Sequence, residues 1–180
     1  MAKPDRLLLV IDLQVVVAPG GPWELPAIEP VVDAVTWLVD HHDGPVLASR
    51  HVPVPDSPGT LGPFARQDDP TELTANAAEL VPGLQHLTSV DKSSYSAFRC
   101  AEVREAAQRA GSVIVCGVET DCCVMATVYD LLDAGLRTTV VPEATTGPDP
   151  VSHDGALRTM ARLSELVQVR SLADVFAVGP

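Results

Sequence analysis

The sequence predicts a three-layer α/β/α fold around a six-stranded, mainly parallel, doubly wound sheet. Short apolar runs such as Leu7–Ile11 lack the alternation of a half-exposed strand, which is typical of strands covered on both faces. These runs alternate with longer segments of helical periodicity, and that order predicts right-handed crossovers with helices on both sides of the sheet. The 180 residues contain no linker or internal repeat, so we expect residues 1–180 to form a single domain.

The first half of the chain begins with strand Leu7–Ile11, which is followed by a loop rich in Pro and Gly. Ile28–His42 has apolar residues at helical spacing and is predicted to be a helix, and Pro45–Ser49 is the second strand. His51–Pro70 is predicted to be a long loop of the kind that forms lids or pocket walls. The segment Glu72–Leu84 has no clear pattern.

The second half continues the alternation of strands and helices. In chain order we predict strand His86–Val90, helix Arg99–Ala110, strand Ser112–Val118, helix Cys122–Ala134, strand Arg137–Val141, helix Pro150–Leu163, strand Leu166–Val169 and a short closing helix Ser171–Phe176.

Composition excludes several classes of function. The net charge is −12, and the 12 Lys and Arg residues form no basic block, which argues against nucleic acid or an anionic membrane as a partner. No apolar run approaches the roughly 20 residues that cross a bilayer, and the N-terminus has no cleavage signal. The four cysteines fit neither a disulfide framework nor zinc-ligand spacing. We therefore expect a cytoplasmic protein with reduced thiols.

The segment from Val113 to Gly135 predicts a nucleophile. A buried strand leads through a small turn into a helix whose first turn carries Cys122 and Cys123. Unpaired N–H groups and the helix dipole converge at such a position, so we expect the thiol there to have a lowered pKa. Helix geometry alone does not decide which of the two cysteines is the reactive one.

Three reactive groups lie at predicted strand ends: Asp12 after the first strand, Lys92 after the third and Cys123 after the fourth. Sites in open parallel sheets lie just beyond the carboxyl ends of the strands. There an ammonium stabilises a thiolate, a carboxylate takes and returns the proton, and the thiolate attacks a carbonyl. No histidine occupies a comparable place beside the thiol, so a Cys–His pair is disfavoured.

Three motifs carry a resemblance to a known family: LVIDLQ at 9–14, DKSSYSAF at 91–98 and GVETDCCV at 117–124, with Thr127 and Gly135 beyond. With these motifs in this order the chain resembles the isochorismatase-like cysteine hydrolases, which include nicotinamidase and N-carbamoylsarcosine amidase. The resemblance implies a catalytic triad of Asp12, Lys92 and Cys123, and so selects the second of the two adjacent thiols.

The same resemblance implies a cis peptide bond before Glu119, which would turn the N–H of Glu119 towards the site. That N–H and the N–H of Cys123 would form an oxyanion hole. Oligomers are common in this family, so we expect a homodimer or homotetramer.

The expected activity is hydrolysis of a C–N bond in a small amide, carbamoyl or lactam-like substrate, through a thioester on Cys123. One alternative is isochorismatase-type cleavage of a vinyl ether, although those enzymes do not use the cysteine. The other alternative is a non-catalytic or redox-sensing protein that uses the vicinal pair Cys122–Cys123. The candidates for substrate contacts, from the predicted pocket walls, are Gln14, Trp23, Phe64, Tyr95 and Phe98.

We expect neither a metal nor another cofactor. Metal-binding nicotinamidases carry an Asp-x-His pair after the arginine that follows the second strand, whereas this chain has Arg50 followed by His51, Val52 and Pro53. One histidine does not make a metal site. The departure also argues against nicotinamide as the substrate, because the metal holds the pyridine ring in those relatives.

Overall fold

The computed structural model describes residues 6–52, 78–163 and 165–176. Their single sheet has six strands, and all paired strands run parallel. The strands are β1 Leu7–Ile11, β2 Val46–His51, β3 Ser89–Lys92, β4 Ser112–Val118, β5 Arg137–Thr146 and β6 Val167–Val169. Their order is β3-β2-β1-β4-β5-β6. The predicted fold class is therefore confirmed, and β1 lies in the middle of the sheet.

Helices cover both faces of this sheet. They are α1 Ile28–His41, α2 Ala101–Ala110, α3 Met125–Asp133 and α4 Pro150–Ala161. Helix α1 packs on one face together with Leu8 and Val10, whereas the other three helices pack on the opposite face together with Leu7, Leu9 and Ile11. Every side chain of β1 is fully buried, which explains why its sequence is a continuous apolar run.

Several predicted boundaries differ from the structure, among them those of β3, β5 and the segment after β6. Strand β3 begins at Ser89 and reaches Lys92, so Lys92 is its last residue. Strand β5 continues to Thr146, because a shift in its register with β4 allows pairing to resume after the irregularity. Residues 172–176 form turns instead of the predicted closing helix.

Gly117 allows β1 and β4 to approach closely where they end. It has φ +105°, and a Cβ added to it would lie 2.1 Å from the carbonyl oxygen of Ile11. A larger residue would push the two strand ends apart. The residues that follow these strands are thereby held near each other. No helix of the described segments is long and apolar enough to cross a membrane.

Candidate active site

Lys92 lies at the centre of the site at the carboxyl edge of the sheet. Its Nζ is 2.6 Å from Oδ2 of Asp12, 2.8 Å from the carbonyl oxygen of Ser94 and 3.5 Å from Sγ of Cys123. An ammonium has three donors, and here each donor has an acceptor. The Lys92 side chain has 0% exposure and that of Asp12 8%, so this ion pair is shielded from water. The structure therefore brings the three predicted catalytic residues together.

The second oxygen of the Asp12 carboxylate is held by Ser49. The hydroxyl of Ser49 donates to Oδ1 of Asp12 at 2.7 Å, and the backbone N–H of Asp12 donates to the carbonyl oxygen of Ser49 at 3.1 Å. Ser49 is fully buried on β2, where it pairs in register with Ile11. Sequence reasoning missed this residue. The available signal was a hydroxyl at the end of a buried strand beside the strand that ends at Asp12.

Cys123 lies in a π-type turn, Thr120–Val124. In this turn the N–H of Val124 donates to the carbonyl oxygen of Glu119, five residues earlier. Thr127 ties this turn to the segment that follows Lys92. Its hydroxyl donates to the carbonyl oxygen of Cys123 at 2.7 Å and accepts the N–H of Ala97 at 3.0 Å. The buried hydroxyl of Thr127 thus holds the backbone of Cys123 next to that of Ala97.

The expectation of a lowered pKa for the Cys123 thiol is wrong. A hydrogen bond with the thiol of Cys122, burial and the nearby Asp12 carboxylate all raise the pKa of Cys123, and the attraction of the Lys92 ammonium only partly offsets them. The chain forms a π-type turn here before α3 begins at Met125, so Cys123 is not in the first turn of the regular helix. The resting site holds a protonated thiol.

Lys92 remains charged despite its burial. Burial alone would lower the pKa of Lys92, but the charge of Asp12 and contacts with Cys123 and Asp12 outweigh it, and the net pKa is raised. A buried cation is stable only beside a compensating anion. Lys92 and Asp12 therefore form a buried ion pair, with the Cys123 thiol as a further neighbour of the ammonium.

The turn before Cys123 begins with a cis peptide bond between Val118 and Glu119. The side chain of Glu119 is partly buried, and burial, followed by the negative charges of Asp121 and Asp12, raises the pKa of its carboxyl group. The predicted oxyanion donors, the N–H groups of Glu119 and Cys123, thus lie at opposite ends of one short turn. Their role remains a prediction.

Two of the predicted substrate contacts, Gln14 and Phe98, are buried. Gln14 is 1% exposed, and its Nε2 donates to the carbonyl oxygens of His51 and Ala78, so both amide protons already have partners. Phe98 is buried in the core on the α2–α4 face of the sheet. Both residues belong to segments that the sequence predicts as pocket walls. Their burial is a feature that the motifs do not encode, and their contact with a substrate stays a prediction.

Two further predicted contacts, Tyr95 and Trp23, are less deeply buried. Tyr95 is 40% exposed, three residues after Lys92. Trp23 is partly buried, with its ring centroid 6.2 Å from that of His51. Phe64 lies outside the described residues.

All four cysteines are free thiols. Burial raises the pKa of Cys116, the most deeply buried of them. In the described part of the chain, no three His, Cys, Asp or Glu side chains cluster in a way that could hold a metal ion.

Known proteins match both the sequence and this architecture. The family model of the isochorismatase domain matches residues 6–174. Isochorismatase domain-containing protein 2 of Bos taurus is 37% identical over 76 residues, which are 42% of this chain and 37% of that protein. The matched segment thus spans less than half of this curated relative.

Two solved structures have the same fold. An isochorismatase from Pseudomonas putida is 24% identical with a TM-score of 0.76, covering 97% of this chain and 92% of that one. N-carbamoylsarcosine amidase from Thermoplasma acidophilum is 19% identical with a TM-score of 0.77, covering 96% and 99%. At these identities the likeness establishes the fold alone. Because the family model extends over nearly the whole sequence, the chain belongs to the isochorismatase family.

Proposed function

We propose that this protein is a cysteine hydrolase that cleaves a C–N bond of a small amide, carbamoyl or lactam-like substrate. The observation that carries the proposal is the contact of the Lys92 ammonium with both Oδ2 of Asp12 and Sγ of Cys123, in a buried position at the carboxyl edge of the sheet. The fold likeness to N-carbamoylsarcosine amidase, whose name describes C–N cleavage, supports the same class of bond.

In the first half of the reaction, the Cys123 thiol passes its proton to the Asp12 carboxylate as Sγ attacks the substrate carbonyl carbon. The Lys92 ammonium stabilises the developing thiolate. Because the resting thiol is protonated, proton transfer accompanies the attack. The tetrahedral intermediate then collapses, the C–N bond breaks, and the nitrogen leaves with the proton from Asp12. A thioester remains on Cys123.

In the second half, water attacks the thioester carbonyl and gives a proton to Asp12. The second tetrahedral intermediate breaks its C–S bond, and the sulfur regains the proton. The acid product leaves and the triad returns to its starting state. In both halves the oxyanion would be bound by the N–H groups of Glu119 and Cys123, and each such donor contributes about 3 kcal/mol to transition-state stability in other hydrolases.

A matched pair of variants tests the proposal. Intact mass should reveal an acyl adduct when the protein is mixed with a library of small amides, and peptide mapping should place it on Cys123. Cys123→Ala should abolish hydrolysis and the adduct, whereas the adjacent Cys122→Ala should retain most of both. Loss of activity in Cys122→Ala with retention in Cys123→Ala would refute the assignment. A protein that hydrolyses no amide yet forms a reversible vicinal disulfide would favour the redox function.

A further inference from the structure

The ring of His51 is a polar group at the site edge that the proposed chemistry does not use. His51 is the last residue of β2 and pairs in register with Lys92, the last residue of β3. Residues paired across neighbouring parallel strands project to the same face of a sheet. The imidazole therefore lies on the same face as the Lys92 ammonium, next to the proposed triad.

The position of His51 is fixed by its neighbours. Its backbone N–H donates to Oε1 of Gln14 at 2.7 Å, and its carbonyl oxygen accepts from Nε2 of Gln14 at 3.1 Å. The Trp23 ring lies beside the imidazole at 6.2 Å between centroids, tilted by 31°. A histidine held at its backbone and covered by an aromatic ring is well placed to orient a ligand.

One ring nitrogen of His51 lacks a hydrogen-bond partner among the described residues. This nitrogen is Nδ1, and it is buried. Buried polar atoms nearly always have a hydrogen-bond partner. A buried atom without one at the edge of the candidate active site therefore indicates a place for a polar group of a ligand. Burial and the charge of Lys92 lower the pKa of His51, and they outweigh the charge of Asp12 and a weak hydrogen bond between the ring and the Lys92 backbone, which raise it. The lowered pKa favours the neutral ring, which has one nitrogen that can accept a hydrogen bond.

The proposed substrate supplies the missing donor. Its carbonyl oxygen would be bound by the backbone N–H groups of the turn before Cys123, which leaves the N–H of the amide without a partner. The Asp12 carboxylate, held by Ser49 and Lys92, serves to exchange the proton between Cys123 and the leaving nitrogen. The His51 ring offers a neutral acceptor next to this pair.

We propose that Nδ1 of His51 accepts a hydrogen bond from the N–H of the scissile amide. The site then selects primary and secondary amides and carbamoyl groups over esters and tertiary amides of the same acyl group. This inference rests on the proposed function, because it assumes that a C–N bond is presented to Cys123. It adds a substrate class and a residue that determines it.

The test measures binding without turnover. The Cys123→Ala protein is titrated with matched probes: the primary amide, the N,N-dimethylamide and the methyl ester of acetic acid and of benzoic acid. At least one primary amide should bind about tenfold more tightly than its ester and dimethylamide, the value of one hydrogen bond. Adding His51→Leu should bring that ratio close to one. Adding His51→Asn, whose amide oxygen lies near the Nδ1 position, should keep part of it.

A control and an independent readout separate a contact from a structural effect. His41→Leu, at the exposed end of α1, removes a histidine far from the site and should leave the ratio unchanged. In the Cys123→Ala protein with its own histidines, the ¹⁵N resonance of His51 Nδ1 should shift on addition of the amide and not of the ester. This measurement does not depend on how well a His51 variant folds.

The inference is overturned if no probe binds or if His51→Leu keeps the tenfold preference for the amide. It is also overturned if the Nδ1 resonance does not shift when the amide is added. Failure of the proposed function looks different. In that case the wild type forms no acyl adduct on Cys123, while amide selectivity in the Cys123→Ala protein still depends on His51.

Discussion

The hydroxyl of Ser49 donates a hydrogen bond to Oδ1 of Asp12, with 2.7 Å between the two oxygens, while Oδ2 of the same carboxylate faces Lys92. One carboxylate is thus held from two neighbouring strands. The hydrogen-bond partners of a carboxylate fix its orientation. The contact with Ser49 therefore sets the direction in which Asp12 can exchange a proton.

Ser49→Ala should therefore lower kcat by about tenfold to a hundredfold with little change in KM, because the base is misplaced and substrate binding is not. Ser89→Ala, at the start of β3, is the control and should change neither quantity. A rise in KM with kcat unchanged would contradict this role of Ser49.

The buried pair of Lys92 and Asp12 should show strong coupling in a double-mutant cycle. Lys92→Met alone leaves a buried carboxylate without its partner and should reduce the free energy of unfolding by about 3–5 kcal/mol. The double variant Asp12→Asn with Lys92→Met should lose much less than the sum of the single variants. Urea unfolding at pH 7 gives the free energy of unfolding of the wild type, the two single variants and the double variant.

The exposed pair of Arg109 and Glu105, 3.7 Å apart on α2, provides the matched control. Its cycle should give a coupling below about 0.5 kcal/mol, as for exposed helical pairs in general. Equal couplings in the two cycles would contradict the inference that burial of Lys92 makes its ion pair important.

The Cys123 thiol should be protonated at neutral pH. Thiolates absorb near 240 nm, so the difference spectrum between wild type and Cys123→Ala should be flat at pH 7. The raised pKa predicts that the signal appears only above the usual thiol range, beyond about pH 8.5. A thiolate signal at pH 6–7 would show instead that Lys92 outweighs Asp12 and burial, and that attack needs no coupled proton transfer.

Alkaline pH should destabilise the fold through Cys116. Burial raises the pKa of this thiol, so the unfolded chain releases the proton first as the pH rises. The contribution is fully present below the unfolded pKa, near 8.5, and is lost above it, by up to about 1.4 kcal/mol per pH unit. Urea unfolding in reducing buffer from pH 7 to pH 10 should show this decline.

Cys116→Ala should be less stable at pH 7 because it leaves a small cavity, but its stability should decline less steeply with pH. Cys122→Ala, which removes a partly buried thiol, provides the comparison for the slope of stability against pH. The explanation is refuted if wild type and Cys116→Ala lose stability with the same slope.

Much of the site could be predicted because its parts lie at the ends of strands. Asp12 and Lys92 each follow an apolar or β-branched segment, and parallel strands present their carboxyl ends at one edge. The burial of Gln14 and Phe98 could not be predicted, because a motif does not determine which of its side chains lie in the core. Ser49 was missed because its role depends on the register between β1 and β2, which the sequence of either strand alone does not contain.

The sequence by itself determined the parallel sheet and the three reactive residues at its edge, since apolar runs, turn residues and ordered motifs are local features. The protonated state of Cys123, the hydrogen bond from Ser49 to Asp12 and the unpartnered nitrogen of His51 were decided only by the tertiary structure. Each depends on burial and on distances between residues far apart in the chain, and electrostatic and hydrogen-bond energies change steeply with both.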